Sequence, residues 1–197
     1  MKIFIATKNR DKIIEIKEIF KHDKEFEFLS INNGINIPDV IEDGNSFEEN
    51  SQKKALEISK YLNMPVISDD SGFCVGALND APGIYSARYA GLNATYKLNR
   101  DKLLEEMKNI NKRDAKLVCV ASFASFVGEV FSSYGELKGE VSYIDQGNNG
   151  FGYDSIFYIK EYKKTLAELG QSFKNNISHR KKAFEELKLK IKIYFNL

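Results

Sequence analysis

The chain has 197 residues, with 29 basic and 28 acidic side chains and a formal net charge of +1. That length suits one ordinary or two-lobed domain with a core large enough to need no staples. The charge balance excludes a whole-protein field for nucleic acid or a membrane surface, so an anionic ligand needs a local cluster.

The two cysteines, Cys74 and Cys119, lie in apolar runs outside any CxxC pair. They read as buried free thiols in a reducing compartment, and with two histidines they offer too few soft ligands for zinc. No signal peptide is visible and no apolar run approaches the roughly 20 residues of a membrane span, so a cytoplasmic protein is expected.

In chain order, "KIFIA" (2–6) reads as a buried strand, and Ile13, Ile16, Ile19 and Phe20 give helical spacing over about 11–20. "FEFLSI" is a second strand. Ser46 to Glu49 fits a capping box opening a helix to about Leu62, with Ala55, Ile58 and Leu62 as its buried stripe. "MPVISDD" returns to strand, ending at Asp69–Asp70 before a turn-prone Ser-Gly. Leu103, Leu104, Met107 and Ile110 mark another helix, and 116–137 reads as two strands joined at Gly128–Glu129. "EVSYI" continues the sheet and "SIFYI" is a further strand. A last helix from about Ile177 carries Ala183, Phe184, Leu187 and Ile191 on one face. The order predicts an α/β fold, a mixed sheet flanked by helices with a cleft between two lobes, the whole of 1–197 forming one two-lobed domain.

Four polar clusters fall where strands meet helices, places that expose side chains and backbone donors to ligands. "ATKNRDK" (6–12) joins Thr7 and Asn9 to the charges of Lys8, Arg10 and Lys12 at a helix start, which suits a polyphosphate, although it is no Walker A loop. "IEDGNSFEENSQKKA" (41–55) puts Glu42 and Asp43 before a capped helix on which Asn50 and Lys54 share a face. "SDDSG" supplies Asp69, Asp70 and Ser71, and paired carboxylates of this kind suit magnesium. "GNNGFGYDSIF" offers Phe151 and Tyr153 for stacking on a base, with Lys174, His179 and Arg180 downstream as donors. Each cluster alone also reads as an ordinary polar turn, helix start or core aromatic. Together they carry carboxylates, lysines, aromatics and donors, the needs of a metal-dependent enzyme acting on a nucleoside triphosphate.

The motifs "ATKNRDK", "SFEENSQKKA", "DDSGFCVGALNDAPGIYSARYAG", "GFGYDSIF" and "ISHRKKA" closely resemble, in content and order, the inosine/xanthosine triphosphate pyrophosphatase family. The resemblance implies an elongated mixed sheet, a homodimer, and magnesium-dependent hydrolysis of ITP, dITP and XTP to the monophosphate and pyrophosphate. Carried over by motif, Thr7, Lys8, Asn9, Arg10, Asp11 and Lys12 form the phosphate loop, with Lys54 also near the phosphates. Glu42 and Asp70 hold the metal, and Asp70 is also the proton acceptor. Ser71 contacts substrate, and Phe151, Gly152, Tyr153, Asp154, Lys174, His179 and Arg180 form the base and ribose pocket. Arg180 is expected to pair with the 6-oxygen that hypoxanthine and xanthine carry and adenine lacks.

Two departures from the family stand out: Asp11 where glycine is frequent, and the polar run Ser51-Gln52-Lys53. Two rival readings are a pyrophosphatase acting on modified pyrimidine triphosphates and a non-catalytic nucleotide- or RNA-binding module. Near-zero net charge and the acidic residues beside the phosphate loop count against the second.

Overall fold

In a computed structural model, which describes residues 1–197, the residues of β1 (Lys2–Ile5) alternate between two apolar layers, as they must in a strand covered on both faces. Ile3 and Ile5 face α1 (Arg10–Ile19) and α6 (His179–Phe195), against Ile13, Ile16, Phe20, Phe184 and Leu187. Phe4 and Ala6 face α2 (Phe47–Leu62), against Ala55 and Ile58. Seven strands form one mixed sheet in the order β2-β1-β3-β4-β5-β6-β7. β1 runs parallel to β2 (Glu27–Leu29) and to β3 (Val66–Val75). β6 (Phe157–Ile159) is antiparallel to β5 (Val130–Val141) and to β7 (Lys164–Thr165).

The chain divides into two compact units. Unit 1 comprises 1–70, 119–135 and 180–197, and holds the two layers just described. Unit 2 comprises 71–118 and 136–179, with a core of Phe73, Val75, Leu103, Met107, Leu117, Leu137, Ile156, Phe157 and Leu166. The chain passes between units at 70/71, 118/119, 135/136 and 179/180. Two of these four junctions fall within the motifs singled out above, at Asp70–Ser71 and His179–Arg180.

Several boundaries differ from those expected. β3 does not end at Asp69–Asp70 but continues to Val75, because both carboxylates find partners on packed elements and the backbone has no cause to turn. α3 (Tyr96–Glu106) starts earlier than the Leu103–Ile110 stripe suggests, with Thr95 capping it by accepting from Leu98 N, and Ile110 lies beyond its end. Ser46 caps α2 as expected, but Glu49 accepts from Asn45 N rather than from Ser46 N. The hairpin between β4 (Asp114–Ala124) and β5 turns at Ser125–Glu129 as the Gly128–Glu129 reading requires. "EVSYI" is not a separate strand: β5 runs into it and ends at Val141. "SIFYI" splits into a 3-10 turn at Asp154–Ile156 and β6. The helix placed from about Ile177 is α6, which starts at His179; before it, across a break at Ser178, come two short helices the sequence did not suggest, α4 (Leu166–Leu169) and α5 (Gln171–Ile177).

The polar run on α2 has work inside the fold. Ser51 is fully buried against Ser68, with the two hydroxyls 3.1 Å apart, and Gln52 donates to Ser132 Oγ at 2.9 Å. Both cysteines are free and buried.

Candidate active site

The phosphate-loop candidates occupy the β1–α1 connection of unit 1. Asn9 is the N-cap of α1, and its Oδ1 accepts from Asp11 N at 2.9 Å and Lys12 N at 3.3 Å. Those two amides are therefore already satisfied, which corrects the reading of this helix start as a set of open donors. Thr7 Oγ1 accepts from Asn9 N at 3.2 Å. Asp11 lies in the first turn, where a carboxylate suits the helix dipole. Lys8 is exposed and pairs with Asp39 at 2.5 Å. Lys12 points the other way, its Nζ 3.0 Å from Asp69 Oδ2.

α2 contributes Asn50 and Lys54, one turn apart on one face as the spacing requires. Asn50 Nδ2 donates to Asp70 Oδ2 at 3.2 Å, and Asn50 Oδ1 accepts from Gly44 N at 2.8 Å. Lys54 Nζ pairs with Glu42 Oε1 at 2.5 Å. Glu42, Lys54, Thr7 and Lys8 line a pocket of about 210 Å³ whose floor includes Ala6 and Ile58.

The paired aspartates use the alternation of β3. Asp69 turns toward α1, β4 and α6: its Oδ2 takes Lys12, accepts from Arg180 Nε at 3.4 Å and Nη2 at 3.3 Å, and lies 3.8 Å from Cys119 Sγ. Asp70 turns toward α2. Burial pushes the Asp69 carboxyl up, but the charges of Lys12, Arg180 and Lys54 outweigh it and hold the group well below the usual carboxylate range. Burial raises Asp70 to about 6; Lys12 and Lys54 oppose this, while Glu42 and Asp69 add to it. The same Cys119 thiol is pushed upward by burial and by Asp69, so it stays protonated.

Arg180 is placed otherwise than a base donor requires. It is 1% exposed, and its Nη1 donates to Glu15 Oε2 at 2.5 Å while its other donors meet Asp69. A guanidinium enclosed by two carboxylates is taken up in ion pairs rather than offered to a pocket. Glu15, three residues beyond Lys12 in the apolar stripe of α1, is a site residue the sequence reading missed. A charged residue at a core-facing helical position was the available signal.

In unit 2, Lys174 and Asp154 form a buried pair, Nζ to Oδ2 at 2.5 Å, with side chains 3% and 5% exposed. Lys174 Nζ also stands 4.2 Å from the centroid of the Phe151 ring. Asp154 Oδ2 accepts from Phe151 N at 2.9 Å and packs so closely on Gly150 that any Cβ there would collide with it. Phe151 and Asp154 line a pocket of about 240 Å³ with Arg100, Gly147, Asn149 and Ser155. Gly152 sits beside this wall with its carbonyl bonded to Arg100. Tyr153 does not stack on a ligand here: its ring packs on Phe73 at 5.0 Å and its hydroxyl donates to Ser86 O at 2.8 Å, making it a core residue. His179 is buried as the first residue of α6, and Ser71 is half-buried on β3 next to Asp70.

A divalent cation finds a fitting donor set in unit 1. No three acidic, histidine or cysteine side chains form a closed cage. Glu42 and Asp70, close enough that the Glu42 charge raises the Asp70 carboxyl, instead offer two carboxylates on the α2 side of β3. Hard oxygen donors that leave coordination places for water and phosphate match a small, strongly hydrated dication.

Residues 3–190 match the Ham1 family. The chain is similar to dITP/XTP pyrophosphatases of Clostridium perfringens, 48% identical with 97% of each chain covered, and of Desulfotalea psychrophila, 47% identical with 94% of this chain and 83% of that protein covered. Among solved structures, the Staphylococcus aureus Ham1 protein superposes with a TM-score of 0.87 at 42% identity, covering 98% of both chains.

Proposed function

This chain belongs to the Ham1 family, and from that premise we propose that it hydrolyses the non-standard purine triphosphates ITP, dITP and XTP to the nucleoside monophosphate and pyrophosphate. One observation carries the reading. In unit 1, one face of α2 brings Lys54 to Glu42 and Asn50 to Asp70, which puts one lysine and two carboxylates around that face, the side-chain types that phosphate and a divalent cation need.

Glu42 and Asp70 hold Mg²⁺, which when bound offsets the charge that builds on the phosphoryl oxygens and the leaving group. Asp70, oriented by Asn50, accepts a proton from water as its oxygen attacks the α-phosphorus. The α–β phosphoanhydride bond breaks and pyrophosphate departs with the bonding pair. Lys54, released from Glu42, neutralises the phosphates, joined by Thr7, Lys8 and Arg10 of the β1–α1 loop. Ser71 hydrogen-bonds substrate. Lys12 and Arg180 act through Asp69, which they hold ionised and fixed on β3 next to Asp70.

Phe151, Gly152, Asp154, Lys174 and His179 receive the base and ribose. With Arg180 held by two carboxylates, Lys174, which pairs with Asp154 and stands 4.2 Å from the Phe151 ring, is the donor proposed to meet a 6-oxygen by sharing its ammonium between Asp154 and the base. An adenine 6-amino group opposes that donor, and mispairing in a buried polar site discriminates strongly. The family resemblance further supports 1–197 as one two-lobed catalytic domain, a homodimer and a cytoplasmic setting. No helix is long and apolar enough to cross a membrane.

Pyrophosphate release measured on ITP, dITP, XTP, ATP, GTP, dUTP and methylated pyrimidine triphosphates, with and without Mg²⁺, tests the reading. Turnover confined to pyrimidine substrates, or none on ITP and XTP, would overturn it.

A further inference from the structure

α3 presents two residues, one turn apart, to the loop 145–152. The Tyr96 ring lies 6.0 Å from that of Phe151. Arg100, four residues on, donates from Nε to Asp145 Oδ2 at 2.7 Å and from Nη1 to Gly152 O at 2.9 Å. The two acceptors are the two ends of the loop, so one guanidinium closes it. The loop is held elsewhere too: Thr165 Oγ1 donates to Gln146 O at 2.8 Å, Asn149 Nδ2 to Ala167 O at 2.9 Å and Gln146 N to Ser155 O at 2.9 Å, and the Ser155 side chain hydrogen-bonds Asp145. Between those anchors Gly147 lies against the α4 backbone, where a Cβ would come within 2.7 Å of Glu168 N.

We propose that Arg100 is a positioning residue for the base pocket: by clasping Asp145 and Gly152 it fixes where Phe151 and Asp154 stand against Lys174. The inference rests on the reading that this pocket takes the purine base. A planar fork suits the task, because two donors on one rigid group reach two acceptors at a set separation, which a lysine ammonium on a flexible stem does not reproduce. The pair is shielded enough to matter, with the Arg100 side chain 18% and Asp145 30% exposed. Arg100 also lines the pocket wall, so its loss loosens the loop and opens the cavity together.

Steady-state kinetics of Arg100→Ala, Arg100→Lys and Phe151→Ala on ITP and ATP test this. Arg100→Ala should raise KM for ITP roughly tenfold or more, the worth of a charge-assisted bond, and narrow the ITP-over-ATP preference, with kcat within about twofold of wild type. Arg100→Lys keeps the pairing with Asp145 but loses the Gly152 bond, so it should recover only part of the KM; it also carries the test if the alanine variant fails to fold. A wild-type KM and preference in either Arg100 variant, with both altered in Phe151→Ala, would overturn the role of Arg100 alone. Wild-type behaviour in Phe151→Ala as well would overturn the base-pocket reading itself. An equal fall in kcat on both nucleotides with unchanged KM would mark a general structural role and overturn the proposal.

Discussion

Asp69 and Asp70 are adjacent on β3 and their carboxyls live in opposite surroundings. Lys12 and Arg180 close on Asp69 Oδ2 at 3.0 and 3.3 Å, whereas Asp70 Oδ2 has the neutral amide of Asn50 at 3.2 Å. One carboxylate is locked in an ion-pair network and the other is left able to exchange protons. Asp70→Asn should therefore retain nucleotide binding and lose turnover by roughly 10²- to 10⁴-fold, the range for a general base. Asp69→Asn should lose activity less and stability more, because it leaves Lys12 and Arg180 without their shared partner. Turnover, nucleotide titration and denaturant midpoints on both variants separate the two roles.

Glu15 holds the far side of that network. Its carboxylate is 4% exposed and its Oε2 lies 2.5 Å from Arg180 Nη1. Glu15→Ala should destabilise the protein by roughly 2–4 kcal/mol, since a buried guanidinium loses one of two counter-charges. Glu15→Gln, which keeps an acceptor, should lose less. Urea unfolding at constant m-value reads the difference, and an alanine variant as stable as wild type would exclude the network as a stabilising element.

Glu42 is bound to Lys54 in this structure, and the proposed mechanism has it exchange that partner for the cation. Chelation should abolish pyrophosphate release and added Mg²⁺ should restore it. Glu42→Gln should raise the Mg²⁺ concentration for half-maximal rate about tenfold or more, as one of two carboxylate ligands becomes a neutral amide. A magnesium titration of turnover, with calorimetric titration of Mg²⁺ alone, checks both.

The parts legible in the sequence are those whose signal is local. Ile13, Ile16 and Phe20 on α1, Ala55 and Ile58 on α2, and Ala183, Phe184, Leu187 and Ile191 on α6 carry a helical period because each helix lays one stripe on the sheet. The first turn of α3 was not legible, since Tyr96 and Arg100 face a loop some 45 to 55 residues away rather than a core. α4 and α5 are too short to show a period. The run of β3 through two aspartates, and the burial of Arg180, depend on charges brought from 111 and 165 residues away, which no window of sequence reveals. The same distances explain the site. Its residue types were readable at strand and helix ends, but which carboxylate neutralises which cation was settled by packing.

Asp23, just after α1, shows how far such pairing shapes the pH response. Its two carboxylate oxygens lie 2.9 Å from Lys188 and 2.9 Å from Lys192, one turn apart on α6, and Lys192 also reaches Glu25 at 2.5 Å. Burial raises the Asp23 carboxyl, but hydrogen bonds from Lys188 and Lys192 outweigh it, and the net shift is downward. A carboxylate more acidic folded than unfolded binds fewer protons in the native state. Its contribution to stability is then fully present above the unfolded value of about 4 and disappears as pH falls through the folded value. Asp23→Asn should accordingly lower stability by about 1 kcal/mol at pH 7, modest because the lysines are partly solvated and Glu25 keeps one of them. The gap from wild type should shrink as pH falls below the unfolded value and on through the folded one, where the wild-type carboxyl is itself protonated. Denaturant unfolding of both proteins at pH 7, 5 and 3 measures it, and a gap that stayed constant across that range would show that packing at Asp23, not its charge, ties α6 to the end of α1.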